Sequence, residues 1–309
     1  MEFSGARMPS AAGRSAPQCA EESTAAFVRA APFRIARKGR APHKACMFAI
    51  GGDAFPNDTQ GLRAALTRGA VPLGAGEDAV TVEGDFPSVE MLRMDLTGVR
   101  IDARTPFATA AKDDAGGFFS RSLDVIAKPA RIASVPADMS LHAEDCVFTF
   151  GTAADGTRTA SLQSCTHGTL EASAATAEIE RALLALAHAA AAGHGASVES
   201  VRLTLETESV RAITVTAVAV AKAMFLTATL TIRGRIAMDD DFNLRLSGTA
   251  CTGDGMLANL AAAQLRPRLT ELEGRTFSLR TILPAGLPPV NVTLAGGASL
   301  RVCATFGGK

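Results

Sequence analysis

The chain has 309 residues, 47% of them hydrophobic, enough for one large domain or two ordinary ones around a substantial core. Its 31 basic and 31 acidic residues cancel, which argues against nucleic acid as the main partner, because phosphate binding draws on surplus Lys and Arg. Trp and Tyr are absent, so base-stacking platforms would be limited to Phe.

Residues 1–45 are rich in Ala, Ser, Pro and Arg and hold eight Lys or Arg against three Glu. Such a segment buries too little apolar surface to offset its ordering entropy, and it reads as disordered. Its Arg-rich, Ser-containing, acid-poor character also fits an organellar transit peptide. A basic tail attracted to anionic lipid is a third reading. No secretory signal opens the chain and no run of 18 apolar residues occurs, so a soluble protein is expected.

Downstream, Asp58 or Thr59 caps a short helix to about Arg68, with Leu62 and Leu66 on one face. Strand patterns follow at 79–84, 88–102 and 123–127. Two more, 140–151 and 157–164, flank Asp155-Gly156 and predict a hairpin. The clearest helix spans about Thr176 to Ala192, with Thr176 as cap, Glu178 and Glu180 in the first turn and Gly193 as stop. Ile179, Leu183, Leu186 and Ala190 form its apolar stripe.

Four strands then succeed one another at 200–206, 210–221, 225–238 and 242–248, with breaks short enough for adjacent antiparallel pairing. In the third, Met224, Leu226, Ala228, Leu230 and Ile232 alternate with Thr227, Thr229, Thr231 and Arg233, the period of a strand with one apolar and one polar face. A second helix is predicted from Asp254 to Leu272, burying Leu257, Leu260, Ala261, Leu265, Leu269 and Leu272 and divided or kinked by Pro267 after about Gln264. Two alternating strands around Gly296-Gly297 close the chain as a hairpin. The expected class is α+β, with long antiparallel sheets and one or two helices. Its parts are 46–172 and 173–309, possibly two similar halves or one continuous domain 46–309.

Catalytic signatures are missing. The six cysteines contain no C-x-x-C pair; they read as small reduced core residues, with Cys146 and Cys165 placed to face each other across the hairpin as the alternative. The five histidines show no H-E-x-x-H spacing, and no G-x-S-x-G or phosphate-loop motif appears. Asp239, Asp240 and Asp241 are consecutive at a strand turn, where their side chains diverge rather than converge on a metal. A binding protein without cofactor or metal is expected rather than an enzyme.

The segment LRLSGTACTGDGMLANLAAAQLRPRLTELEGRTFSLRTILPAGLPPVNVTLAGGASLRVCATFG (244–307) resembles the LmeA-like family of phospholipid-binding proteins, which are similar in shape to tubular lipid-binding proteins. The resemblance rests on Leu265, Pro267 and Leu269 at the helix end, on the Leu283–Pro288 motif L-P-x-G-L-P and on the final hairpin. Upstream, FPSVEMLRMDLTGVRID and the helix from Thr176 fit the family's order of elements. The resemblance implies strongly curved sheets wrapped around one or two helices, leaving an apolar channel for acyl chains. It also implies non-enzymatic binding of a phospholipid or other acyl lipid, with possible peripheral membrane contact. The absence of an export signal points to the cytoplasm, or to a plastid if residues 1–45 are a transit peptide.

In such a fold Ile213, Val215, Ala217, Leu226, Ala228, Leu230, Leu244 and Leu246 would face the channel from the sheet, and Ile179, Leu183, Leu186 and Ala190 from the helix. Arg233 and Arg235 are candidate head-group partners at the mouth, or ordinary solvated strand residues. The competing expectation is a scaffold whose sheet face is filled by its own helices.

Overall fold

The computed structural model describes residues 47–52, 54–101, 112–153, 155–191, 196–223, 226–273, 275–279 and 289–307. The segment 1–45, the Leu283–Pro288 motif and Met224–Phe225 lie outside them, as do Cys19, Cys46, His43 and His194. Two sheets and three helices make up the described chain, an α+β arrangement.

The first helix, α1 (Thr59–Ala70), starts as its sequence dictates. The Asp58 carboxylate accepts the Gly61 amide at 2.6 Å, and Leu62 and Leu66 are fully buried. They pack on the larger sheet, built from β1 (Met47–Ile50), β2 (Val80–Asp85), β3 (Ser88–Asp95), β4 (Arg100–Ile101), β5 (Lys112–Ile132), β6 (Val135–Thr152), β7 (Arg158–Ser164) and β8 (His167–Ala175). Two strands from the end of the chain, β14 (Pro289–Ala295) and β15 (Ser299–Gly307), complete it. The order is β14-β15-β8-β6-β5-β3-β2, with β7 continuing along β6, β1 on β7, and β4 on β5. Val89, Leu92, Leu123, Phe148, Leu162 and Phe306 fill its core, where the Phe118 and Phe148 rings stack at 4.5 Å.

Three features of this sheet depart from the sequence reading. β3 and β4 run parallel to β5, so the sheet is mixed rather than antiparallel throughout. Parallel neighbours cannot be joined by a tight hairpin, and β3 and β5 are indeed separated in sequence by residues 96–111. Second, β8 was not anticipated: His-Gly-Thr-Leu-Glu-Ala-Ser-Ala-Ala is dominated by small residues and lacks a strong period-two signal. It is held by β6 on one side and β15 on the other, so its neighbours specify it. Third, β8 crosses the boundary expected at 172/173, and β15 binds it, so the C-terminal hairpin shares a sheet with strands of the first part.

The smaller sheet follows helix α2 (Thr176–Ala191) and comprises β9 (Ala196–Ser209), β10 (Ala212–Ala223), β11 (Leu226–Met238), β12 (Asn243–Asp254) and β13 (Thr276–Ser278), in the order β13-β12-β11-β10-β9. All its pairs are antiparallel. Helix α3 (Met256–Glu273) lies between β12 and β13 in sequence. Pro267 sits inside α3 without dividing it: one amide is lost, and the helix continues to Glu273. The strand expected to end at 248 runs on to Asp254, because the ladder with Thr229–Arg233 of β11 carries it past Gly248.

The two sheets meet at one end of the smaller one. Leu294 of β14 donates its amide to the Val210 carbonyl, and Ile213, Val215, Ile236, Met238 and Leu244 join the core of the larger sheet. Among the described residues no helix is long and apolar enough to cross a membrane.

Candidate functional site

The register of the smaller sheet sorts its side chains into two faces, since directly opposed residues share a face. Ile213, Val215, Ala217, Ala219 and Ala221 of β10 oppose Ile236, Gly234, Ile232, Leu230 and Ala228 of β11. On the other side, Val215, Ala217 and Ala219 oppose Leu205, Leu203 and Val201 of β9, while Leu230 and Ile232 oppose Gly253 and Cys251 of β12. Along these rows the face is apolar. The reverse face carries Thr214, Thr216, Thr229, Thr231, Arg233 and Arg235, together with Val218 and Val220.

Each helix guards one edge. α2 packs on β9, and the Glu180 carboxylate accepts the Leu203 amide at 2.7 Å. α3 packs on β12 and the adjacent part of β11, and Glu273 accepts the Thr249 amide at 2.5 Å. Both glutamates thus satisfy a strand amide that faces away from the neighbouring strands, and so blunt an edge that would otherwise invite a further strand. Gly253 shows on which face α3 lies. A Cβ there would come within 2.2 Å of the Ala258 backbone, and Gly253 belongs to the apolar face. Ala258 and Ala262 are buried, so the helix approaches the sheet through small residues. On β9 the apolar-face residues Val198 and Leu205 are buried while Arg202, Thr204 and Glu206 are exposed; Leu205 packs against Gly296 of the β14–β15 turn, and α2 packs along β9.

Between the two helices the apolar face is incompletely covered. Ala217, Ala219, Ala221, Ala228, Leu230 and Ile232 are all half-exposed, and Leu226 at the far end is 51% exposed. Of the expected channel residues, only Ile213 is fully buried; Val215 and Leu244 pack against the common core, and Leu246 is half-exposed.

The expected stripe of α2 does not face inward. Ile179 is half-buried, but Leu183 is 36% and Leu186 66% exposed, and the side chain of Ala190 lies outside the description. The sheet is met one residue further round the helix, through Glu180, Leu184 and Ala187. The Glu180–Leu203 hydrogen bond lies on the same side of the helix as Leu184 and Ala187. Thr176 likewise does not cap α2 as expected: its hydroxyl donates to the Gly297 carbonyl at 2.7 Å, tying the helix start to the β14–β15 turn. The described part of the face expected of α3 does turn inward: Ala258 and Ala262 are buried and Ala261, Leu265, Leu269 and Leu272 half-buried, whereas Asn259, Ala263, Arg266, Arg268, Thr270 and Glu271 are exposed; the side chains of Leu257 and Leu260 lie outside the description.

Arg233 and Arg235 project from the polar face, opposite the apolar floor, and Arg235 pairs with Glu208 at 2.6 Å. They are solvated strand residues and do not stand at a mouth of the apolar face. Asp239 accepts the Asp241 and Asn243 amides, which hold its carboxyl below the usual range, and pairs with Arg245 at 3.3 Å. The acidic run therefore builds a turn, and among the described residues no group of acidic, His or Cys side chains is arranged to hold a metal.

Cys146, Cys165, Cys251 and Cys303 are free thiols. The β6–β7 ladder pairs Val147 with Ser164 and so brings Cys146 and Cys165 near each other; burial, with a smaller contribution from Cys165, pushes the Cys146 thiol up to about 12. One contact escaped the sequence reading. His142 Nδ1 lies 2.7 Å from Asp124 Oδ1 across the β5–β6 ladder, a pairing visible only once register is known. Comparisons of the chain with protein-family models, with curated proteins and with solved structures gave no match.

Proposed function

We propose that the open apolar face of β10 and β11, between α2 and α3, binds the acyl chain of a phospholipid or other acyl lipid without catalysing a reaction. The supporting observation is the continuous row Ala217, Ala219, Ala221, Ala228, Leu230 and Ile232, which is apolar yet only partly buried. Sequestering each methylene is worth about 0.8 kcal/mol. A sixteen-carbon chain would thus contribute on the order of 12 kcal/mol before association and ordering costs reduce it. Few polar contacts are then needed, which agrees with a chain rich in alternation and poor in catalytic motifs. Leu226 is an uncovered apolar side chain at the far end of the same face and would extend it.

The resemblance to LmeA-like phospholipid-binding proteins points the same way. A cytoplasmic location, or a plastid one with residues 1–45 as transit peptide, and transient contact with a membrane surface accompany this reading. The experiment is organic extraction and native mass spectrometry of the purified chain, followed by titration with a fluorescent fatty acid. Co-purifying lipid and saturable uptake support the proposal. A clean apo mass with no uptake favours a scaffold whose half-exposed sheet face has no guest.

A further inference from the structure

The larger sheet carries a second concavity, far different in chemistry. About 310 Å³ in volume, it is lined by Lys128 of β5, Asp138 and Ser140 of β6, Glu171 and Ser173 of β8, and Ser299, Arg301 and Cys303 of β15. Register explains the gathering. Asp138, Ser173 and Arg301 form one cross-strand row and Ser140, Glu171 and Cys303 the next, on the face opposite the Leu141–Leu170–Ala304 row that packs toward the core. Lys128 stands in the β5 bulge, beside the Asp138 position.

The four charged side chains are neighbours of opposite sign, Lys128 beside Asp138 and Glu171 diagonal to Arg301, a spacing at which cross-strand ion pairs ordinarily close. Here neither closes. Among the described residues none of the four has an ion-pair partner, whereas ten pairs form between other residues of that set. Arg301 instead turns its Nε to the Ser299 hydroxyl at 3.1 Å, which leaves the remaining guanidinium donors for another acceptor. Two cations, two carboxylates and three hydroxyls therefore share one hollow with their charges unspent on each other.

We propose that this hollow binds a small zwitterion, whose ammonium is taken by Asp138 and Glu171 and whose carboxylate or phosphate is taken by Lys128 and Arg301. The volume suits it: about 310 Å³ leaves room for a molecule of a few carbons. A lone anion would meet two carboxylates, and a lone cation would meet Lys128 and Arg301. Only a ligand with both signs satisfies all four groups. This site is independent of the acyl-lipid reading, because it lies on the other sheet and its ligand groups are polar side chains.

The test is amide-resolved NMR titration of the full chain with O-phosphoethanolamine and with β-alanine, using inorganic phosphate and ethylammonium as single-charge controls. Saturable shifts are expected at Ser140, Glu171, Ser173 and Arg301, with at least about tenfold tighter binding of one zwitterion than of either control. Arg301→Gln and Glu171→Gln should each weaken that binding about tenfold or more. Both positions are exposed, so the spectra elsewhere should stay native. No saturable shift at millimolar zwitterion overturns the proposal. So does equal binding of phosphate alone, which marks an adventitious ion only, or unchanged binding by a folded Arg301→Gln. Binding confined to phosphatidylethanolamine vesicles, with none of the free zwitterions, overturns it as well.

Discussion

Replacing Leu230 and Ile232 together by Gln tests the acyl-binding face where it is most specific. Both side chains stand on the apolar face of β11, opposite Ala219 and Ala217, and both are half-exposed. Full burial of a Leu or Ile is worth about 1.5–3 kcal/mol, and a half-exposed side chain has realised only part of that in the folded chain. A bound acyl chain would supply much of the rest, up to about 1 kcal/mol at each site. Gln withdraws that gain and adds an amide that must be desolvated without a partner, about 1 kcal/mol or more again. The double variant should therefore bind a fluorescent fatty acid weaker by about 3 kcal/mol, on the order of a hundredfold in Kd. Folding should suffer less, because a half-exposed amide keeps its water. Displacement titration gives the affinity, and thermal unfolding followed by circular dichroism gives the stability. A variant that stays folded and binds with unchanged Kd would refute the reasoning, since the floor would then not touch the ligand.

Other perturbations read the framework. Gly253→Val should destabilise the chain by more than about 2 kcal/mol, seen as a fall in Tm, because its Cβ would overlap the Ala258 backbone and lift α3 from β12. Removing both edge acceptors, Glu180→Ala with Glu273→Ala, should cost about 0.5–1.5 kcal/mol apiece and promote self-association through the freed edges, measured by light scattering. His142 is held above its usual range chiefly by its hydrogen bond to Asp124, so its protonated form favours the native state. That contribution is complete below the unfolded value near 6.5 and disappears as pH rises through the raised native value. Because the pair is partly exposed, the effect is small, below about 1 kcal/mol. Wild-type Tm should fall with rising pH relative to His142→Asn, and a constant difference would contradict the assignment.

Local chemistry made much of this architecture legible. Asp58 followed by Leu62 and Leu66 marks α1, and Gly296-Gly297 marks the last hairpin, because caps and turns involve residues close in sequence. The Leu226–Ile232 alternation likewise assigned one face of β11 as apolar, since side-chain period is a property of the strand alone. Tertiary structure decided what that face meets. Glu180 reaches the Leu203 amide, and α2 turns Leu183 and Leu186 away from the sheet; the small pair Gly253 and Ala258 draws α3 onto β12. β8, with its small residues, and the parallel β3–β5 pair exist through partners distant in sequence. Lys128, Asp138, Glu171 and Arg301 meet only through strand order. Periodicity is a short-range property of the backbone, whereas cover, register and charge pairing are sums over neighbours that folding alone brings together.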